Sequence, residues 1–227
     1  MIAPPPGAIL SRPSPNFGPR RNGLRPELVV LHYTRMTSAQ AALARLCLPE
    51  AEVSAHYLIA AGGTVWQLVA EEMRAWHAGA GTWRGQGDVN SRSIGIELDN
   101  DGDTPFAWPQ MRALEGLLAG ILRRWAIPPQ GVIAHSDMAP QRKVDPGPRF
   151  DWRALARSGL AIWPQEGGDP AEPLAASLDR LGYPEAPEGP RLAAFRLRFR
   201  PGAQGPEDAT DRALADDLAG RFGADFG

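Results

Sequence analysis

Cysteine is almost missing from this chain: Cys47 is the single one in 227 residues. One thiol excludes a disulfide framework and any cysteine-built metal cluster. A charge excess of either sign is missing too. Twenty-four basic residues against 26 acidic ones leave a net charge of −2, which argues against a general affinity for nucleic acid or anionic membrane surfaces. No apolar run approaches the roughly 20 residues of a membrane-spanning helix. Cys47 lies too far from the terminus to serve as a lipid anchor. The first residues, Met1-Ile2-Ala3-Pro4-Pro5-Pro6, lack the basic start and apolar stretch of a secretory signal. These absences predict a cytoplasmic chain, or a periplasmic one if a leader has been removed, with no nucleic-acid partner and no membrane anchor; a monomer is the expected state.

What is present is a globular composition, 43% hydrophobic, with 25 glycines and 23 prolines unevenly spread. Seven prolines precede residue 27, whereas all four histidines and all seven tryptophans fall between His32 and Trp163. Any chemistry therefore belongs to the middle. Composition divides the chain into an N-terminal arm (1–26), a main domain (27–164), a linker (165–172) and a small helical module (173–227).

In the main domain, Leu28–Leu31, His56–Ala60, Thr64–Val69, Ser93–Leu98 and Gly131–Ala134 read as strands. The second and third are joined by a Gly62-Gly63 hairpin turn. Ser38–Leu48 reads as a short helix capped by Thr37 or Ser38 and stopped by Pro49. Met111, Leu114, Leu117, Leu118, Ile121, Leu122 and Trp125 keep the 3.6-residue period of an amphipathic helix. Strands alternate with helices, but the hairpin interrupts a pure βαβ series. The fold class predicted is α/β, a mixed central sheet flanked by helices. Beyond the linker, Leu174/Leu178/Leu181, Leu192/Phe195/Phe199 and Leu214/Leu218/Phe222 give a three-helix module, too small to stand easily alone.

Three segment ends offer metal ligands: His32 and His135 directly after strands, and Asp145 in Lys143-Val144-Asp145-Pro146. Two imidazoles and a carboxylate suit Zn²⁺ and leave a fourth position open, as catalytic zinc sites do. Each has an ordinary alternative, a hydrogen-bonded structural histidine or an Asp-Pro turn. Glu97 adds weight, because alternation places it with Gly95 opposite Ile94, Ile96 and Leu98. A mid-strand carboxylate is either solvated on an outer face or has a task, such as accepting a proton from an attacking water. Lys143, two residues before Asp145, could stabilise an oxyanion or sit on the surface.

The strings Val29–Thr34 (VVLHYT), Val53–Ile59 (VSAHYLI), Ala75–Gly79 (AWHAG), Asn90–Glu97 (NSRSIGIE) and Ala134–Asp137 (AHSD), the last continuing through Pro140–Lys143 (PQRK) to Asp145–Pro148 (DPGP), together resemble the zinc-dependent N-acetylmuramoyl-L-alanine amidases. That family includes phage lysozyme-amidases and animal peptidoglycan recognition proteins. The resemblance covers roughly residues 14–163 and implies hydrolysis of the amide between the lactyl group of N-acetylmuramic acid and L-alanine. It implies His32, His135 and Asp145 as ligands of one Zn²⁺, Glu97 as general base and acid, and Lys143 as the polarising cation. Tyr33, His56, Trp76, His77, Asn90 and Arg142, in or beside the motifs, are the expected substrate contacts. Muropeptides, anhydro forms among them, are the expected partners, in cell-wall turnover or recycling. A non-catalytic recognition module is the alternative, although such binders commonly lack a zinc ligand and this chain keeps all three. Leu178–Tyr183, Ala194–Pro201 and Asp208–Thr210 are similar to a peptidoglycan-binding-like helical domain. Arg196 stands where that domain commonly has Gln, which favours packing support over glycan binding.

Overall fold

The computed structural model describes residues 8–224. The Pro-rich start and the last three residues of the expected helical module lie outside the described residues. Eight strands and eight α-helices are present among those described. The strands are β1 (Ile9–Ser11), β2 (Phe17–Pro19), β3 (Leu28–Tyr33), β4 (Tyr57–Ile59), β5 (Val65–Gln67), β6 (Met73–Ala75), β7 (Ser93–Leu98) and β8 (Val132–Ala134). The helices are α1 (Ala39–Leu46), α2 (Val89–Arg92), α3 (Trp108–Trp125), α4 (His135–Met138), α5 (Trp152–Arg157), α6 (Leu174–Leu181), α7 (Glu188–Phe199) and α8 (Ala209–Phe222).

Six strands form one mixed sheet in the order β1-β5-β4-β7-β3-β8. Only the β4–β5 hairpin is antiparallel, and Gly63 supplies the positive φ of 85° that its turn requires. The N-terminal segment departs from the expectation of a plain arm. It places β1 beside β5 and pairs β2 with β6 in a separate two-stranded ribbon. Neither three-residue strand is long enough to show alternation, so the sequence pattern held no sign of them. Arg20 then fastens this segment, donating to the carbonyls of Asn90, Ser91 and Ser93 from one nitrogen and of Glu71 from two others.

Alternation along β3 decides what covers each face of the sheet. Val29 and Leu31 join Ile94, Ile96, Leu98, Val132 and Ala134 under the apolar stripe of α3. Leu28, Val30 and Ile133 point the other way, into a core completed by Leu174, Leu178, Leu181, Phe195, Phe199 and Leu218 of α6, α7 and α8. The C-terminal helices are thus the second layer over the β3–β8 half of the sheet. Beside them, Ala42 and Leu46 of α1 cover Leu58 of β4. Ser38 caps α1, accepting from the Ala41 amide at 3.2 Å, and Cys47 closes it. Gly182 closes α6 at φ 102°. No helix among the described residues is long and apolar enough to cross a membrane.

Candidate active site

Parallel strands present their carboxyl ends at one edge of a sheet, where side chains from several strands converge. His32 shares its face of β3 with Leu28 and Val30, and Glu97 is its register partner on β7. His135 follows β8 directly. It is expected there, and it is also the first residue of α4, because the Asp137 carboxylate accepts from the Ala134 amide at 2.9 Å and starts a helical turn. Asp145 returns on the next loop, whose carbonyl at 145 accepts from the Ser136 amide at 3.1 Å.

Three atoms meet where these elements converge. His32 Nδ1 lies 2.9 Å from His135 Nδ1 and 2.9 Å from Asp145 Oδ2, and His135 Nδ1 lies 3.0 Å from the same oxygen. All three residues are buried. His135 Nε2 donates to the Ala78 carbonyl at 2.9 Å. A neutral imidazole with its proton on that nitrogen turns a bare lone pair toward His32 and Asp145. Burial, reinforced by neighbouring His135, pulls His32 down to about 4 and so keeps it neutral as well. Two neutral imidazole nitrogens and a carboxylate oxygen aimed at one point repel one another unless a cation lies between them. This donor set fits Zn²⁺.

Glu97 faces the same cleft. Its Oε2 is buried and has no hydrogen-bond partner within the described residues. Burial first, and the Asp145 carboxylate second, push its carboxyl up to about 8, with Lys143 pulling the other way. A carboxyl held near neutrality in a cleft has the proton affinity of a general base. The cleft holds about 360 Å³ and is lined by the three converging residues, Glu97 and Lys143.

Of the expected substrate contacts, Tyr33, Trp76, His77 and Arg142 line this cleft. Arg142 nonetheless spends its guanidinium on the Ala78 and Ala80 carbonyls. His56 and Asn90 are not brought to the cleft. His56 is fully buried, accepting from the Gly95 amide at Nδ1 and bonded through Nε2 to the Met73 carbonyl. Burial drops it to about 3. Asn90 turns its Oδ1 to the amides of His77 and Ala78, at 3.0 and 2.8 Å. Sequence reasoning missed Arg35 and Arg45, which line the cleft from the loop after β3 and from α1. Their signal was weak, because each reads as an ordinary exposed cation.

The Amidase_2 family model, described as N-acetylmuramoyl-L-alanine amidase, matches residues 22–148. The N-acetylmuramoyl-L-alanine amidase AmiD of Escherichia coli (strain K12) is 38% identical over 237 residues, covering 88% of this chain and 85% of that protein. A structure of E. coli AmiD in complex with anhydro-N-acetylmuramic acid-L-Ala-D-gamma-Glu-L-Lys superposes with a TM-score of 0.79 at 36% identity, over 90% of this chain and 93% of that one. Pseudomonas aeruginosa AmpDh3 in complex with anhydromuramic pentapeptide gives 0.81 at 31% identity, over 90% and 95%. With the family model spanning more than half its length and a relative 38% identical over 88% of it, the chain belongs to the N-acetylmuramoyl-L-alanine amidase family.

Proposed function

We propose that the chain hydrolyses the amide between the lactyl group of N-acetylmuramic acid and L-alanine in soluble muropeptides, anhydro forms included, with one Zn²⁺ held by His32, His135 and Asp145. The observation that carries this reading is the meeting of three bare donor atoms beside an unpartnered, buried Glu97 oxygen in one cleft. A recognition module without chemistry has no use for Glu97 so placed, since an unsatisfied buried carboxyl only costs stability. The anhydromuropeptide complexes of AmiD and AmpDh3 support the choice of substrate.

When bound, zinc would lower the pKa of a water toward neutrality and polarise a carbonyl. The chain's own residues do the rest. Glu97 accepts the proton of the attacking water and returns it to the departing alanine nitrogen. Lys143, on the loop that carries Asp145, places its ammonium where the carbonyl oxygen gains charge. Tyr33 and Trp76 offer ring faces to sugar or peptide, and Arg35 and Arg45 favour the carboxylates of a stem peptide. The test is digestion of purified muropeptides with and without a chelator, read by mass. The expected product is an intact stem peptide beginning at L-Ala, lost on chelation and restored by zinc. Cleavage within the peptide, or turnover indifferent to the chelator, would overturn the reading.

A further inference from the structure

Both converging histidines use Nδ1 inward, so each must carry its proton on Nε2. One dipeptide receives both outer nitrogens. His135 Nε2 meets the Ala78 carbonyl at 2.9 Å, and His32 Nε2 meets His77 Nδ1 at 3.0 Å. The first contact fixes a tautomer by itself, because a carbonyl only accepts. The second joins two imidazoles and is ambiguous until it is followed outward.

His77 Nε2 lies 3.2 Å from Ser93 Oγ, and Ser93 donates its only proton to the Val89 carbonyl at 2.5 Å. The Ser93 oxygen must then accept from His77, so the His77 proton sits on Nε2 and its Nδ1 is bare. A bare His77 Nδ1 accepts the proton of His32 Nε2, and this leaves His32 Nδ1 bare toward His135 and Asp145. The chain of hydrogen bonds is anchored on the Val89 carbonyl, which only accepts, and runs through Ser93, His77 and His32 to the metal position with no free choice between.

The ring is also fixed in place. A Cβ added at Gly95 would overlap the His77 imidazole, so this glycine is what allows the ring to lie against β7. Asn90 holds the 77–78 backbone through both amides. We infer that His77 and Ser93, with Asn90 behind the 77–78 backbone, are positioning residues that set the tautomer and direction of the two zinc-binding imidazoles, rather than substrate contacts. This inference rests on the zinc reading above. Outer partners of this kind typically carry about 10- to 100-fold of metal affinity.

Zinc affinity measured by chelator competition on the full chain tests it, with far-UV circular dichroism as the check on folding. His77→Leu removes the acceptor, whereas His77→Asn keeps an oxygen where Nδ1 stood. The expected result is a loss of about 10-fold or more for Leu, recovery to within about threefold for Asn, and a loss of about 10-fold for Ser93→Ala. Gly95→Ala should weaken zinc as well, by pushing the ring aside without changing any donor. If His77→Leu does not fold, Ser93→Ala and Gly95→Ala carry the test. Wild-type affinity in the folded variants, with only KM raised, would make His77 a substrate contact and overturn the inference while leaving the zinc reading intact. A wild-type chain that takes up no zinc would overturn both.

Discussion

Arg198 of α7 and Asp137 of α4 form a closed ion pair at the join between the C-terminal helices and the sheet. Arg198 Nη1 donates to Asp137 Oδ2 at 2.5 Å, with 1% and 0% of the two side chains exposed. The same guanidinium donates to the Val132 carbonyl at 2.8 Å and lies 4.4 Å from the centre of the Trp152 ring. Tyr183 donates to the other carboxylate oxygen at 2.7 Å. Asp137 in turn caps the turn that begins with His135, so the module holds the β8–α4 junction through charge as well as through the shared core.

Arg198→Met keeps most of the volume but leaves a buried carboxylate short of its cation. Breaking one side of such a pair costs about 3–5 kcal/mol, which for a chain of this size lowers the melting temperature by roughly 10 °C. Arg112→Met is the control. Its partner is Glu115, one turn along α3, and 59% of the Arg112 side chain is exposed; a pair with so solvated a cation is worth about 0–1 kcal/mol. Urea denaturation of both variants checks this, and equal midpoints would show that the clamp contributes no more than a surface pair.

The buried Glu97 carboxyl costs stability. Its carboxyl, ordinarily near 4.5, is pushed up to about 8 by burial and by Asp145. Between those values the folded chain keeps a proton that the unfolded chain has released. Stability of the zinc-free protein therefore falls as pH rises through that window. Glu97→Gln carries no such proton. In chelator-treated protein it should match wild type near pH 4 and exceed it at pH 7–8, while losing turnover in the zinc-loaded form. Parallel pH–stability curves for the two proteins would remove Glu97 from the buried, strained position assigned to it.

Periodicity long enough to count made much of this molecule readable in advance. α3 shows four turns of apolar spacing and β7 alternates over six residues, so their faces followed from period alone, whereas β3 opens as an unbroken apolar run that marks it only as buried. Met73–Ala75, Ile9–Ser11 and Phe17–Pro19 are three-residue strands with no period to detect, and their pairing is decided by tertiary contacts. His32, His135 and Asp145 were visible through their motifs. The tasks of their neighbours were not, because a histidine in a motif reads the same whether it faces a ligand or another ring. Hydrogen-bond direction separates His77, on the outer nitrogen of His32, from His56, tied to the backbone of β6 and β7. No sequence pattern encodes that direction.

Glu71 should govern acid sensitivity at the far side of the sheet. Burial opposes its ionisation, but hydrogen bonds from Arg124, Tyr57 and Trp125 outweigh burial and hold its carboxyl below the ordinary range. The Tyr57 hydroxyl lies 2.7 Å from Oε1 and the Trp125 indole 2.5 Å from Oε2. A depressed folded pKa stabilises above the unfolded value and is lost as pH falls through the folded one. Glu71→Gln should be less stable than wild type by about 2 kcal/mol at pH 7, with the gap closing as pH drops below about 4. Thermal melts at pH 7 and 3 measure it, and a gap that widens in acid would contradict the assignment.

Arg196 turns inward to the α7–α8 connection. Its guanidinium makes a two-nitrogen pair with Asp211, which is fully buried, and donates to the Gly205 and Pro206 carbonyls at 2.7 and 2.8 Å. Arg200 reaches the same Asp211 carboxylate at 2.9 Å. These contacts lock the α7–α8 connection, and the arginine turns inward where a glycan contact would have to face out. Arg196→Gln should therefore lower the unfolding free energy by about 2–4 kcal/mol, the range for opening one side of a buried pair that keeps a second cation. KM for a muropeptide should stay within about twofold of wild type, because uniform binding to the substrate is untouched. Urea denaturation together with steady-state kinetics on one muropeptide reads both quantities. A raised KM at unchanged stability would overturn the packing assignment and favour glycan binding.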